Sequence, residues 1–367
     1  MSLLANLNHV IQGEVGDDTY ELYYAQLDPF LEELDRREEN TLRPAIDTKA
    51  IQFLTSKELL DYGFQAKANV KNRLYLKVED KVYPVAETAF NSIKSRIDIF
   101  GKGLLELPDE LLRDVLNARI KDIHEVRLII IDEKIRAIMS ASSGGYRVMP
   151  TRDVVASMLD GLEAKFESFE FLNAFLSYDI LYMKVIFPEK AEVIQDLYGK
   201  SHHYVPGVLL RTSDTGHAAN EIFPIWQVQN GSVVLGDIEE SIRIVHRGRD
   251  ASVEALKDDL PNIFVRLRDT ISLVRKQMGY KVKYPAIVIE NVSKKFKLGK
   301  KDTRQMLERL DLFCFTNPDR EVTGYDITQL FLDMARQEPN ENKKRRLEVV
   351  AGKAFNLNYE KFDKELD

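Results

Sequence analysis

The tripeptide Asp214-Thr215-Gly216, followed by His217, has the residue types of an aspartic-protease catalytic loop. Such proteases place Asp-Thr/Ser-Gly after an apolar strand and bring two copies together, so that two carboxyl groups share one proton. Leu209 and Leu210 provide an apolar strand, but three polar residues separate it from Asp214, and the chain has no second copy of the motif. A homodimer would have to supply that copy. Ser, Asp and Gly are also the residues that a turn between two strands prefers, and we favour the turn.

The histidines suggest two further kinds of site. His202 and His203 are adjacent, and adjacent strand residues point to opposite faces, so one metal ion cannot easily bind both imidazoles. Ser213, Asp214 and His217 have the residue types of a nucleophilic triad, but neighbours in one turn seldom reach triad geometry. The sequence therefore predicts neither catalytic residues nor a metal site, and it indicates no cofactor.

A phosphate-binding loop is incomplete. The segment LGKKDT resembles the end of a P-loop, but the glycine expected five residues before Gly299 is Lys294. Lys301 stands where Ser or Thr would bind magnesium. The sequence therefore disfavours a nucleotide hydrolase.

A basic stretch is the strongest remaining indication of a ligand. The net charge is −7, yet residues 241–304 hold sixteen Lys or Arg against seven Asp or Glu. Cations interleaved with an aromatic side chain neutralise phosphates and stack on unpaired bases. We therefore predict a site for single-stranded nucleic acid formed by Lys294, Lys295, Phe296, Lys297, Lys300, Lys301, Arg304, Arg243, Arg247 and Arg249. A solvated basic loop is the alternative, and residues 343–346 would extend the surface if the fold brings them close.

An acidic N-terminal stretch supports a rival hypothesis. Residues 17–40 hold nine Asp or Glu against two Arg. An acidic amphipathic helix captures a basic partner without an active site. A protein-interaction role through this helix is therefore the alternative function. Either role is compatible with a homo-oligomer.

The composition is that of an ordinary globular protein. The chain has 367 residues, 44% of them hydrophobic and 30% charged, which suffices for two or three cooperative units. No run of about 18 apolar residues occurs, and the start lacks the basic region of a secretory signal, so we expect no membrane partner and a cytoplasmic location. Cys314 is the sole cysteine, and its apolar neighbours predict a buried side chain.

Periodicity in the first third, 1–122, predicts a helical layer with one small hairpin. Helical spacing covers 20–34, where Pro29 marks a break, and a second helix starts at Pro108. Two short apolar runs within 73–85 indicate the hairpin.

The following region, 123–250, predicts an antiparallel sheet. Three runs between 126 and 150 indicate a meander, and a helix capped by Thr151 is expected to pack on it. Later strands follow to residue 247, with Asn230-Gly231 as a two-residue hairpin turn. Residues 251–367 then predict a helical region. The fold class is therefore α+β, with a central antiparallel sheet, a crossing helix, and helical N-terminal and C-terminal regions.

Six segments within residues 125–355 carry a family resemblance. They are Tyr146-Arg147-Val148-Met149-Pro150, Thr212-Ser213-Asp214-Thr215-Gly216, Asn230-Gly231, His246-Arg247-Gly248, TGYDITQLFLDMARQ and RRLEVVAGKAF. With them the chain resembles the phage and plasmid proteins grouped as domain of unknown function 932, and for the alternative protein-interaction role this implies counter-defence or virion assembly, with a host or phage protein as the partner. Thr212 replaces the usual Asn, and the N-terminal third has no counterpart. The resemblance implies a mobile-element origin, action in a bacterial host and a turn at Asp214. It implies no catalytic residues.

Overall fold

A computed structural model describes residues 21–64, 72–101, 103–142, 147–229, 231–235, 242–244, 267, 270–355 and 357–364. Its helices and antiparallel strands confirm the α+β class. The strands are β1 (Glu21–Tyr24), β2 (Thr41–Leu42), β3 (Ala45–Asp47), β4 (Ile51–Leu54), β5 (Tyr75–Val78), β6 (Lys81–Pro84), β7 (Glu125–Ile131), β8 (Lys134–Ser140), β9 (Glu170–Ser177), β10 (Leu181–Ile186), β11 (Glu192–Gln195), β12 (Ser201–Thr212), β13 (Asn220–Val228), β14 (Gly231–Val234) and β15 (Ile242–Ile244).

The helices account for most of the remaining described residues. They are α1 (Leu27–Glu39), α2 (Ala89–Arg96), α3 (Asp109–Ile120), α4 (Thr151–Lys165), α5 (270–279), α6 (Pro285–Lys295), α7 (Lys300–Thr316), α8 (Gly324–Gln337) and α9 (Glu341–Phe355). The start of α3 and the hairpin of β5 and β6 lie where the sequence predicts them, and α5–α9 lie in the predicted C-terminal helical region.

The largest sheet has strands in the order β1-β9-β10-β12-β13-β14, with β11 added beside β12 and β15 beside β13. All of these neighbours pair antiparallel. A hairpin joins β13 to β14 as predicted, but its turn lies one residue earlier than predicted, because Gly231 pairs with Val228 as the first residue of β14. The sequence prediction missed β9 and β11.

Both faces of the largest sheet are covered. On β10, Leu181, Met183 and Val185 face a core shared with α4 and the C-terminal helices. Tyr182, which points to the opposite face as alternation along a strand requires, belongs to a second cluster that includes Val349 of α9. Lys184 also points to that second face, so a charge lies inside a strand that is otherwise apolar.

The N-terminal third is less helical than predicted, because it contains β1–β6. In the predicted helix over 20–34, residues 21–24 form β1, an edge strand of the largest sheet, and the helix starts at Leu27. Pro29 lies in the first turn of α1, where a missing N–H removes no helical hydrogen bond, and it does not break the helix.

The predicted meander over 126–150 is a hairpin of β7 and β8 only. Residues 147–150 have no strand structure, and β7 and β8 pack with α2 and α3 in a separate core. The helix α4 packs on the largest sheet and not on this hairpin, and its cap is Pro150, with Thr151 as its first residue. The predicted division at 122/123 stays a prediction, although the hydrophobic cores follow a different division.

Cys314 is exposed, contrary to the prediction. It lies on the outer side of α7 beside Leu312 and Phe315, which are 62% and 83% exposed. Leu312 and Phe315 point away from the buried Met306 and Leu310. Cys314 lies one turn beyond Leu310, in the last turn of the helix, where its side chain is exposed.

Candidate functional site

Asp214 lies in the turn between β12 and β13, and its side chain is only 4% exposed. Its Oδ1 accepts a hydrogen bond of 2.8 Å from the backbone N–H of Thr151. Because Thr151 is the first residue of α4, the carboxylate satisfies a helix N-terminal N–H and complements the helix dipole. The tripeptide therefore holds a helix end.

Two arginines also pair with Asp214. The guanidinium groups of Arg37, from α1, and Arg43, from the segment before β3, lie 3.4 Å and 3.6 Å from its oxygens. Arg37 is buried and also donates a hydrogen bond of 2.9 Å to the carbonyl oxygen of Tyr178. We name Asp214, Arg37, Arg43 and the Thr151 amide the Asp214 cluster. Its contacts join α1, α4 and the largest sheet, and they place cations where an aspartic protease has a second carboxyl group.

The turn around Asp214 is built from its own side chains. Ser213 Oγ accepts hydrogen bonds from the backbone N–H groups of Thr215 and His217, at 3.2 Å and 3.1 Å. The imidazole Nδ1 of His217 contacts Thr215 Oγ1 at 2.8 Å, so Ser213, Asp214 and His217 do not form a triad. Gly216 has φ of +78°, and a Cβ there would meet the Met139 methyl group. The turn prediction is confirmed.

The two adjacent histidines lie in different environments. His202 Nε2 contacts Asp196 at 3.0 Å and its Nδ1 contacts the Tyr325 hydroxyl at 3.2 Å, whereas His203 is exposed. Across the described residues, no group of three His, Cys, Asp or Glu side chains is placed to hold a metal ion.

Most of the predicted basic site surrounds the turn between α6 and α7. Lys294 and Lys295 end α6, Lys297 lies in the turn, and Lys300 and Lys301 begin α7. All five side chains are exposed. Lys295 lies over the Phe362 ring, 5.2 Å from its centroid, and Arg304 forms an exposed ion pair of 3.6 Å with Glu308.

Phe296 is not placed for base stacking. It is half-buried and packs against the main core, as does Leu298 two residues later. Lys297 between them has φ of +55°, and the Leu298 N–H donates to the Ser293 carbonyl oxygen at 2.9 Å. The aromatic residue therefore anchors the turn, and the turn presents the lysines outward.

The basic residues of α9 contribute unequally to this surface. Arg346 is exposed and donates a hydrogen bond of 3.0 Å to the Lys297 carbonyl oxygen, so its charge lies beside the turn. Lys343 pairs with Asp302 and Glu338, and Arg345 is buried with Glu341 and Glu348.

The arginines predicted near the end of the sheet do not add to the surface in the described part of the chain. Arg243 on β15 lies 3.2 Å from the buried carboxylate of Glu221, which also pairs with Arg211. Arg247 and Arg249 lie outside the described residues. Three of the six acids of α1 are likewise paired with arginines: Glu33 with Arg36, Asp35 with Arg152 and Glu38 with Arg43.

A buried charge network was missed by the sequence analysis. Lys184 Nζ lies 2.9 Å from both Glu348 Oε1 and Ser232 Oγ, and Arg345 pairs with the same glutamate. Burial lowers the pKa of Lys184 to about 8, although the nearby Glu348 carboxylate opposes that shift. The signal in the sequence was one lysine inside the apolar run LYMKVI.

No protein-family model, curated protein or solved structure matches this chain. The resemblance to domain of unknown function 932 therefore stays a prediction. In the part of the chain that the structure describes, no helix combines the length and apolar character needed to cross a membrane.

Proposed function

We propose that this protein binds nucleic acid, preferentially single strands, through the exposed cations around the α6–α7 turn. We name this set the basic surface; it consists of Lys294, Lys295, Lys297, Lys300, Lys301 and Arg346. The observation that carries the proposal is that Arg346, distant in sequence, lies beside the exposed lysines of residues 294–301 through its hydrogen bond to the Lys297 carbonyl oxygen. Within the described residues, none of these six side chains forms an ion pair with a carboxylate.

The N-terminal end of α7 adds to the attraction for phosphate. Gly299 precedes the helix and provides no side-chain cap, so the first N–H groups have no capping side chain. The positive end of the helix dipole favours an anion at this position. The carboxylate of Asp302, in the first turn, is paired with Lys343 at 3.0 Å. Lys300 and Lys301, on the first turn, place two further charges there.

The residue types favour binding without sequence reading. Five of the six cations are lysines, which act as point charges toward phosphates, whereas base edges are read by Arg, Asn or Gln in a groove. A single strand is flexible enough to bring successive phosphates onto a compact set of cations. The family resemblance favours replication or recombination of a mobile element as the process in which this binding acts.

A fluorescence-anisotropy titration with a labelled oligonucleotide tests the proposal. The triple variant Lys297→Gln, Lys300→Gln, Lys301→Gln removes three charges without introducing repulsion. The matched control, Lys49→Gln, Lys81→Gln, Lys121→Gln, removes three exposed charges from the N-terminal region. We expect the first variant to bind at least about tenfold more weakly than wild type and the control to bind like wild type. Equal affinities for the two variants, or absence of binding by wild type, would contradict the proposal, and equal affinity for a duplex would contradict the single-strand preference.

A further inference from the structure

A cavity of about 240 Å³ lies between the β11–β12 hairpin and the helices α7 and α8. Part of its wall is apolar and is formed by Phe313, Leu330 and Val228. Another part is charged and is formed by Asp333 and Arg320. Lys200 and His203, both exposed, also line it. Its volume is below the range of about 300–1,000 Å³ that drug-sized ligands occupy, so it suits one small planar group.

The wall near Arg320 is rigidly held. The Arg320 guanidinium lies between the rings of Tyr198 and Phe313, 4.8 Å and 5.3 Å from their centroids. It also pairs with Asp326 at 2.6 Å. The Tyr198 hydroxyl accepts a hydrogen bond of 2.9 Å from the Glu321 N–H. These contacts fasten the β11–β12 hairpin to the segment between α7 and α8.

His202 belongs to this wall and has no free ring nitrogen. Burial alone would raise the pKa of Asp196, but hydrogen bonds from His202 and from the Lys200 and Tyr198 amides lower it. The carboxylate therefore accepts from His202 Nε2–H, and Nδ1 accepts from the Tyr325 hydroxyl. Burial raises the pKa of Tyr325, so its hydroxyl keeps the proton that it donates.

Asp333 differs from the other acids of the cavity. Its side chain is half-buried, and burial raises its pKa, although Arg336 and Arg309 act in the opposite direction. Among the described residues, none donates a hydrogen bond to it. A half-buried carboxylate without a protein donor gains hydrogen bonds from a ligand that brings N–H groups.

We propose that this cavity binds the planar base of a nucleoside 5′-monophosphate, which presents adjacent N–H donors, as guanine does, to Asp333, while the phosphate lies beside the exposed Lys200 and His203. Two parallel N–H groups match a carboxylate in the bidentate manner of an arginine side chain. Phe313 and Leu330 provide apolar contacts for the planar base, Lys200 provides a cation for the phosphate, and His203 provides a polar contact. A guanidinium ligand has the same donors, but its positive charge is disfavoured by Arg320 and Lys200.

This site is separate from the basic surface. Lys300 and Phe313 lie thirteen residues apart on α7, which corresponds to roughly 20 Å at about 1.5 Å per residue. Oligonucleotide binding at the α6–α7 turn does not require the cavity. The inference therefore does not rest on the proposed function.

Isothermal titration calorimetry with guanosine 5′-monophosphate tests the inference, with uridine 5′-monophosphate, guanosine, inorganic phosphate and methylguanidinium as comparison ligands. We expect guanosine 5′-monophosphate to bind more tightly than each of them. Asp333→Asn should weaken the binding of guanosine 5′-monophosphate at least about tenfold. The amide replaces one acceptor oxygen by an NH2 group, which cannot accept a hydrogen bond from the N–H groups of the base. The matched control Asp311→Asn, which changes an exposed acid on α7, should bind like wild type.

Other outcomes would overturn the inference. These are no binding of the nucleotide, equal binding by Asp333→Asn, binding of phosphate alone with the same affinity, or tighter binding of methylguanidinium. The triple lysine variant should keep the nucleotide affinity of wild type. If the triple lysine variant loses nucleotide affinity, the nucleotide binds at the basic surface. This result would contradict nucleotide binding in the cavity, but it would leave the proposed function in place.

Discussion

The Asp214 cluster and the basic surface are both rich in charge, yet their environments are opposite. Asp214 and Arg37 are each 4% exposed, and they form an ion pair with each other. Lys297 and Lys300 are exposed and form no ion pair among the described residues. In the cluster, cations and anion meet inside the protein, where removing one partner leaves the other desolvated. On the basic surface, the counter-charge must come from outside, so these lysines are available to a ligand.

The comparison shows why motif and charge runs are weak guides until burial is known. The sequence around Asp214 has the residue types of a catalytic loop, and the fold uses it to hold three segments together. The sequence around Phe296 has the types of a stacking site, and the fold uses the aromatic ring as an anchor. Placement relative to the core decides both outcomes.

The largest expected effect comes from Asp214→Asn. The substitution leaves the guanidinium groups of Arg37 and Arg43 without their shared carboxylate, and we expect a loss of about 3–5 kcal/mol in the free energy of unfolding. Urea denaturation measures this loss. Glu308→Gln, in an exposed pair, is the control and should change stability by less than about 1 kcal/mol. A variant as stable as wild type would show that the cluster is not structural.

A second prediction concerns the buried Lys184. Because burial lowers its pKa from 10.5 to about 8, between these values the unfolded chain holds a proton that the folded chain has released. Stability contributed by this group therefore rises with pH across that window. Relative to Lys184→Met, the free energy of unfolding of wild type should increase by up to about 1.4 kcal/mol per pH unit. The exposed Lys121→Met is the control, and a difference independent of pH would contradict the prediction.

A smaller effect is expected from Gly216→Ala. The left-handed backbone and the Met139 methyl group both oppose a Cβ there. We expect a loss of roughly 1–3 kcal/mol in urea denaturation. Gly63→Ala, at φ of +79° but with open space around the Cβ, separates the backbone cost from the packing cost and should lose less. Equal losses of stability in the two variants would show that the Met139 methyl group adds nothing to the cost of a Cβ at position 216.

The smallest effect on stability is expected at the basic surface. Replacing Lys297, Lys300 and Lys301 together by Gln should change the free energy of unfolding by less than about 0.5 kcal/mol, because the side chains are exposed and unpaired among described residues. The thermal midpoint measures this. A clear destabilisation would mean that these lysines stabilise the fold, which would weaken their assignment to a ligand.

The sequence predicted those parts of the fold that depend on local signals. Asn230-Gly231 marks a hairpin because two-residue turns demand such residues, and the β13–β14 pair follows. Pro108, Asp109 and Glu110 mark the start of α3 for a similarly local reason.

The errors arise where tertiary contacts decide. Residues 21–24 have helical spacing, but they form a strand because β9 offers an edge to pair with. Cys314 has apolar neighbours, but it lies in the last turn of α7, beyond the buried Met306 and Leu310. The site was predicted in part: the lysines near the turn lie together, whereas the Glu221 partner of Arg243 and the contact of Arg346 with Lys297 depend on residues far apart in sequence.

The salt dependence of single-stranded oligonucleotide binding tests the central claim most directly. The logarithm of the binding constant should fall with the logarithm of salt concentration by about 0.7 for each phosphate neutralised. We predict that the slope of the Lys297→Gln, Lys300→Gln, Lys301→Gln variant is shallower than that of wild type by about 2. Identical slopes, or binding by wild type that does not depend on salt, would contradict the assignment of the basic surface.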